Sequence, residues 1–488
     1  MTRRCLVGAA LALTACNSFT GASGLAIGED ADEDADGLAL AEGISITRVD
    51  LYQGIRRPLM EGGVAATSPL PIVRERDALM RVHYELTGAP LFGLTARVTI
   101  GEGEEAEPIE ILTTAGATSS DGDLASTINV PIPGEAMTGV GYRVELLQPK
   151  EVTSGDNDAA AYPPRDAPPG LLPLQSAGPL RLVVVPVRYD ADGSGRLPDT
   201  SESQLALLHD SFFATYPVPG VEIRVTDPLP SSTPVSGVDI NGWSLLLDEV
   251  QSYRAQSNAA PDEYYLGVFM ASDTFGQFCS GGCVTGLSNL AESPGDAFAR
   301  SSIALGFPGQ ASVDTAVHEV GHAHGRHHAP CGGAGNPDPS FPQSDGSIGE
   351  WGYDLVKGTL VDPQVADFMG YCEPVWLAGY TFQGLFTRGQ LVNVAAKWEG
   401  PPTDYDRILV LPDGTARWRE RLTLRHPLGG QPMPVRLEDD REVDGHFYPF
   451  DHAEGGILLF PASDARRARF SHGRSTTTER GRTLTVTR

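Results

Sequence analysis

The residues best equipped for chemistry sit together between His318 and His328, in the run His-Glu-Val-Gly-His-Ala-His-Gly-Arg-His-His. On a helix, positions i and i+4 share a face, so His318 and His322 can aim two imidazoles at one metal ion while Glu319 stands beside it. Gly325 lacks a Cβ and can take a positive φ, which lets it stop the helix and turn the chain so that His328 returns as a third ligand. Three nitrogen ligands leave the fourth tetrahedral position of a zinc ion to water, as in a reactive rather than a structural site. Zinc there would bring the pKa of that water towards roughly 7 and polarise a carbonyl, with Glu319 accepting the proton and returning it to the leaving group. His324 and His327 lie off the motif spacing and are read as solvated or supporting groups, with His327 the alternative to His328 as third ligand.

Together with Asp367-Phe368-Met369-Gly370-Tyr371-Cys372, this motif resembles the metzincin clan of zinc endopeptidases. The resemblance spans roughly residues 180 to 400 and assigns no family within the clan. It implies a catalytic domain with a twisted sheet and an active-site helix, a tight turn that places Met369 as a hydrophobic floor under the metal, and Tyr371 as a ligand or a hydrogen-bond donor to the transition state. It also implies that an extended peptide pairs with the sheet edge near Cys279 to Leu290.

With the third-ligand loop and the Met turn both drawn to the metal by that resemblance, a bridge between Cys331 and Cys372 becomes natural. Four cysteines allow three pairings, and this one leaves Cys279 and Cys283 to close a small Gly-containing loop. A second metal site on Cys279 and Cys283 is the alternative, weakened by the lack of neighbouring histidines. No cysteine lies between Cys16 and Cys279, which excludes a thiol switch from an N-terminal propeptide but not a plug carrying an Asp.

The elements that must position these residues follow from periodicity. Leu180 to Tyr189 reads as a buried strand, Glu202 to Tyr216 as an amphipathic helix ending before Pro217, and Val221 to Val225 as a strand. A helix near Trp243 to Arg254 and a strand at Tyr264 to Met270 precede the motif helix near Ser312 to His324, and Tyr380 to Lys397 reads as a closing helix. Before this, residues 44–147 show short alternating runs broken by Gly, Pro and Asp, the pattern of an antiparallel β-sandwich, and the Pro-, Ala- and Gly-rich residues 148–179 read as a linker. Residues 401–488 suggest a small β-domain. The expected class is therefore α+β and multidomain, with a metzincin-like catalytic domain over residues 180–400 flanked by these two β-domains.

Residues 1–15 combine Arg3-Arg4, a short apolar run and Leu13-Thr14-Ala15-Cys16, which resembles a bacterial lipobox, so the segment reads as a lipoprotein signal with Cys16 as the lipidated residue. No apolar run is long enough to span a bilayer, so the membrane is engaged through the lipid alone, at the bacterial cell envelope. Residues 16–43 hold the anchor and the acidic run Gly-Glu-Asp-Ala-Asp-Glu-Asp-Ala-Asp-Gly, which should form an extended tether. A net charge of −27 disfavours nucleic acid and other polyanions as partners. Asp190 to Gly195 resembles the start of an oxygen-lined calcium loop, but its twelfth position is Ser201 where a carboxylate is wanted; a Gly-rich turn is the preferred reading and calcium the alternative.

These readings converge on a zinc-dependent endopeptidase acting on extracytoplasmic proteins or peptides, glycoproteins among them. The alternative is a lipid-anchored protein that binds glycan or protein and uses the zinc domain as a scaffold; the intact Glu319 argues against it, since a scaffold needs no general base.

Overall fold

The structure is a computed structural model that describes residues 37–101, 106–280, 282–395, 400–451, 453–472 and 482–488. The signal segment, Cys16 and most of the acidic tether lie outside the described residues, as do Gly281 of the small cysteine loop and Lys397 at the expected end of the closing helix.

The centre of the molecule is a sheet built on strand β1 (Leu180–Tyr189). Its sequence is apolar almost throughout because both faces are covered, as expected of a parallel strand between two layers. The chain continues through helix α1 (Glu202–Thr215), strand β2 (Val221–Val225), helix α2 (Ile240–Gln256) and strand β3 (Glu263–Phe269), then the short strands β4 (Gly286–Ser288) and β5 (Ser301–Leu305), and finally helix α3 (Gln310–Ala323). The sheet order is β2-β1-β3-β5-β4, parallel except for the edge strand β4, which runs antiparallel to β5 with Gly286 opposite Ala304. Ser201 caps α1 by accepting from the backbone N–H of Gln204, and the helix stops before Pro217, which cannot continue it.

The two-residue period of β1 sorts its side chains into two cores. Leu182 and Val184 join Leu266 and Ala304 beneath Phe212 of α1, Val313, Val317 and Val320 of α3, and Phe382 and Leu385 of helix α4 (Gly379–Ala395). Val183, Val185 and Val187 face the other way, with Trp243, Leu246 and Val250 of α2 and Leu409, Leu459 and Tyr448 of the C-terminal region. Sequence periodicity did not single out β5 as a strand. Its Ser301 and Ser302 are fully buried, and Ser302 uses its hydroxyl on the Glu319 carbonyl, so a polar sequence occupies a core position.

The N-terminal region holds two antiparallel sheets. One runs in the order Arg56–Glu61, Ile44–Tyr52, Ala78–Leu86 and Ile128–Ile132; the other contains Gly141–Pro149, Leu91–Ile100 and Pro108–Ala115. Within residues 148–179, read as a linker, Tyr162 pairs opposite Val144 and Leu174 opposite Ile72, so this stretch folds back onto the strands that precede it. Arg76 ties the region to the central sheet: its guanidinium, fully buried, donates to the carbonyls of Phe213 and Val218 around the end of α1. The indole N–H of Trp376 donates to the Gly54 carbonyl at 2.7 Å.

The C-terminal strands form one antiparallel sheet containing Ala416–Leu424, Thr403–Val410, Gly456–Pro461, Glu442–Pro449, Gln431–Leu437, Arg467–His472 and Arg482–Thr487 in that order. It docks on α2, where Asp248 is fully buried between Arg407 at 3.0 Å and Arg419 at 2.7 Å. Residues 39–488 thus make one compact, β-rich unit with few helices.

Candidate metal centre

Helix α3 carries Val313, Val317 and Val320 into the core, which turns His318 and His322 to a common outer side. The helix ends where the glycine signal placed it. Gly325 has φ 79°. Its N–H reaches the His322 carbonyl at 2.7 Å and the Arg326 N–H reaches Gly321 at 3.0 Å, the paired bonds of a Schellman cap. A Cβ on Gly325 would also stand 2.5 Å from an Arg388 nitrogen and 2.7 Å from the Ala291 carbonyl oxygen. The reversed chain brings in His328.

All three imidazoles are oriented the same way. The Nδ1 of His318 faces the Phe368 carbonyl at 2.9 Å, that of His322 the Arg326 carbonyl at 2.6 Å and that of His328 the Gly335 carbonyl at 2.6 Å. A carbonyl only accepts, so each Nδ1 carries the proton and each Nε2 presents a lone pair. The ligating atoms of His318, His322 and His328 lie within 4.8 Å of one another, and two Nε2 atoms approach to 3.1 Å. Lone pairs meeting at that distance repel unless a positive charge sits between them, so the donor set itself suits a metal cation. Three nitrogens at this convergence fit zinc.

His324 and His327 stay out of this group. His324 stacks on Tyr264 at 3.8 Å between ring centres, and burial pushes its pKa down to about 3, so it is a neutral packing residue. His327 meets Glu292 at 3.2 Å at the surface.

Glu319 is buried beside the triad, and its Oε2 has no hydrogen-bond partner among the described residues. Burial, and then the nearby Asp451 carboxylate, push its pKa well above the ordinary carboxylate range, a direction that a cation between them would oppose. The ring of Tyr371 stands 5.7 Å from His318 and 4.9 Å from His328, centre to centre. Burial, with Asp451 and Glu319, raises its phenol, which therefore remains a donor.

Met369 lies under the helix, its sulfur so close to Gly321 that a Cβ there would overlap it. Asp367 holds this turn by accepting from the N–H groups of Met369 at 2.9 Å and Ala378 at 2.8 Å, and burial raises its pKa to about 6. Cys331 and Cys372 are bridged, and Cys279 and Cys283 form the second disulfide. The Ala329 N–H bonds to the Met369 carbonyl and the Tyr371 N–H to that of Cys331, so the loop after His328 and the turn at Met369 are tied by two backbone bonds as well as the disulfide.

A cavity of about 740 Å³ opens beside His318 and Glu319, walled by α1, α3, the Met turn and residues 283–286, with Ala214, Val284, Val317, Phe368 and Trp376 among its lining. The stretch Asp190 to Gly195 is a turn closed by pairing of Tyr189 with Arg196, with Asp192 engaged by that arginine.

Two features escaped the sequence. Gly286 backs directly onto the Glu319 carboxylate. Asp451, from the C-terminal sheet region, reaches the histidine group with its side chain 1% exposed and an oxygen 3.1 Å from His322 Nε2. A lone Asp so far along the chain carries no motif that could have announced it. The same segment corrects the expected peptide-binding edge: between Ser288 and Leu290 that edge is already taken, because Leu290 donates to Pro449 and Asp451 donates to Ser288, each at 3.1 Å.

Three imidazoles that could hold a metal ion, a buried carboxylate beside them and a cleft alongside are the parts that a metal-assisted hydrolytic centre would need. The family model described as Peptidase M66 matches residues 301–373, from β5 through the triad to the residue after Cys372, and supports a peptidase of a metallopeptidase family. No curated protein matches the chain.

Proposed function

We propose that this chain is a zinc-dependent endopeptidase of the metzincin type, carried at the bacterial cell envelope by a lipid on Cys16 and acting on extracytoplasmic proteins or peptides, glycoproteins among them. The observation that carries the reading is the convergence of the His318, His322 and His328 Nε2 atoms, each imidazole held by a backbone carbonyl, next to the buried carboxylate of Glu319.

Bound zinc would polarise the scissile carbonyl and acidify the attacking water. The protein supplies the rest. Glu319, whose Oε2 meets no competing hydrogen bond among the described residues, takes the proton from the attacking water and passes it to the leaving amine. The Tyr371 phenol donates to the oxygen that gains negative charge. The largely apolar cavity against Val317 and Phe368 receives a side chain of the substrate and excludes water from one flank of the scissile bond. Met369 and the disulfide to Cys331 keep the third ligand in register with the helix.

The deciding experiment is digestion of a mixed, denatured proteome by the purified full chain loaded with zinc. Cleavage that vanishes on Glu319→Ala and on chelation is the expected result. A chain that takes up no zinc, or cleavage indifferent to Glu319→Ala, overturns the reading.

A further inference from the structure

The reach of Asp451 into the triad has a consequence for the metal. The His322 Nδ1 proton is committed to the Arg326 carbonyl, so the Nε2 facing Asp451 is a lone pair. A carboxylate oxygen 3.1 Å from that nitrogen is then a second acceptor at hydrogen-bond distance, in a place where its side chain is 1% exposed. Two acceptors hold that spacing when they share a positive charge, and the His318 Nε2 shares the same space. Glu319, His322 and Asp451 also converge as a second possible ligand set, overlapping the first at His322.

The backbone gives the carboxylate a fixed route in. Pro449, Phe450 and Asp451 lie antiparallel along Ser288 to Leu290, with Phe450 buried opposite Asn289. That segment follows directly on strand Glu442–Pro449 of a sheet anchored to α2 through Asp248. Position and anchorage both place a carboxylate on the strand edge that the sequence reading had expected an extended peptide to use.

We propose that Asp451 is a fourth protein ligand of the metal, delivered by the C-terminal β-sheet, and that it closes the resting site to water and substrate. The proposal rests on the zinc reading above. Three imidazoles and one carboxylate would supply four protein donors, as in closed sites, so hydrolysis would require Asp451 to leave. Its departure would be a simple displacement, the Asp451 oxygen keeping its electron pair as a water or carbonyl oxygen takes its place, with no oxidant or reductant involved.

The test uses the full chain with Co²⁺ in place of zinc, compared with Asp451→Asn and Asp451→Ala. The asparagine keeps the shape, so a chain that tolerates only that change still reports. In the unaltered protein, azide should leave the visible spectrum unmoved; in both variants it should shift it, and a chelator should strip the metal about 10- to 100-fold faster. Zinc-loaded Asp451→Ala should cleave denatured protein faster than the unaltered chain. Azide binding equally to all three proteins, or metal loss at one common rate, overturns the proposal and identifies the Asp451 contact as an ion pair with His322 in the metal-free chain. Failure of the zinc reading looks different: the unaltered chain would then hold no metal, or would hold it equally well after His318→Ala.

Discussion

The carboxylate of Glu319 rests directly on Gly286 of the edge strand β4: a Cβ at Gly286 would overlap Oε1, Cγ and Cδ of Glu319 at once. The glycine therefore sets where the carboxylate proposed as proton acceptor stands. Gly286→Ala should push the carboxylate away from the triad while leaving the three imidazoles and their carbonyl partners intact. A displacement near 1 Å is worth about 100-fold in rate, so kcat should fall by about that factor with zinc stoichiometry unchanged. Steady-state kinetics beside a metal assay check this. Equal kcat in the variant would show that some other contact fixes Glu319.

Gly325 is required twice over, by its φ of 79° and by the approach of Arg388 and the Ala291 carbonyl. Holding an L side chain in that conformation costs about 1–2 kcal/mol before any overlap is counted. Gly325→Ala should thus lower the urea midpoint and, because it displaces His328, weaken zinc binding as well. The measurement is chemical unfolding with and without zinc. A variant that loses stability but keeps full zinc affinity would separate the turn from the ligand it presents.

What could be read from the sequence, and what could not, divides along physical lines. The grouping of His318, His322 and His328, the turn at Gly325 and the small Cys279–Cys283 loop were legible because each depends on local spacing, whereas the Cys331–Cys372 pair followed only from the resemblance that draws its two segments together. β1 and the helices were legible from periodicity, with ends displaced by a residue or a few, as at α2, read from Trp243 and observed from Ile240. β5 was not, since it opens on two buried serines, and the hydroxyl of Ser302 is satisfied by Ser288 and the Glu319 carbonyl, contacts set by the tertiary fold. Asp451 and Gly286 were invisible for a similar reason. Each acts on a residue from another part of the chain, and one sequence carries no record of that approach. Arg76 shows the same limit, as a buried cation held by carbonyls of Phe213 and Val218.

The two disulfides should differ in effect because they close loops of different size. Cys331 and Cys372 are 41 residues apart and Cys279 and Cys283 only 4. On a chain-entropy account the longer loop contributes about 4 kcal/mol and the shorter about 2. The replacement Cys331→Ser with Cys372→Ser should therefore be the more destabilising, and it alone should loosen the Met turn from the third-ligand loop. Thermal unfolding ranks the pairs, and zinc retention after replacement shows whether only the first pair matters to the centre. The reverse ranking would mean that strain or residual structure in the unfolded chain outweighs loop closure.

His83 gives the N-terminal sheets a dependence on acid. It is buried in a group of charges with Arg48, Arg56, Arg81, Asp50 and Asp121; its Nε2 lies 2.8 Å from an Arg48 guanidinium nitrogen, and a guanidinium can only donate. Burial, then Arg48 and Arg81, push its pKa down from 6.5 to about 3. Between those values the unfolded chain binds a proton that the folded chain refuses, so stability is intact above pH 6.5 and declines as the pH falls towards 3. One such proton contributes at most about 1.4 kcal/mol per pH unit. Asp50 works in the opposite sense, because burial raises its pKa and acid then favours the folded form. The comparison with His83→Gln isolates the histidine, since glutamine can still accept from Arg48. Urea unfolding from pH 7 to pH 4 should show the unaltered chain losing stability faster than the variant; parallel profiles would place the acid sensitivity elsewhere.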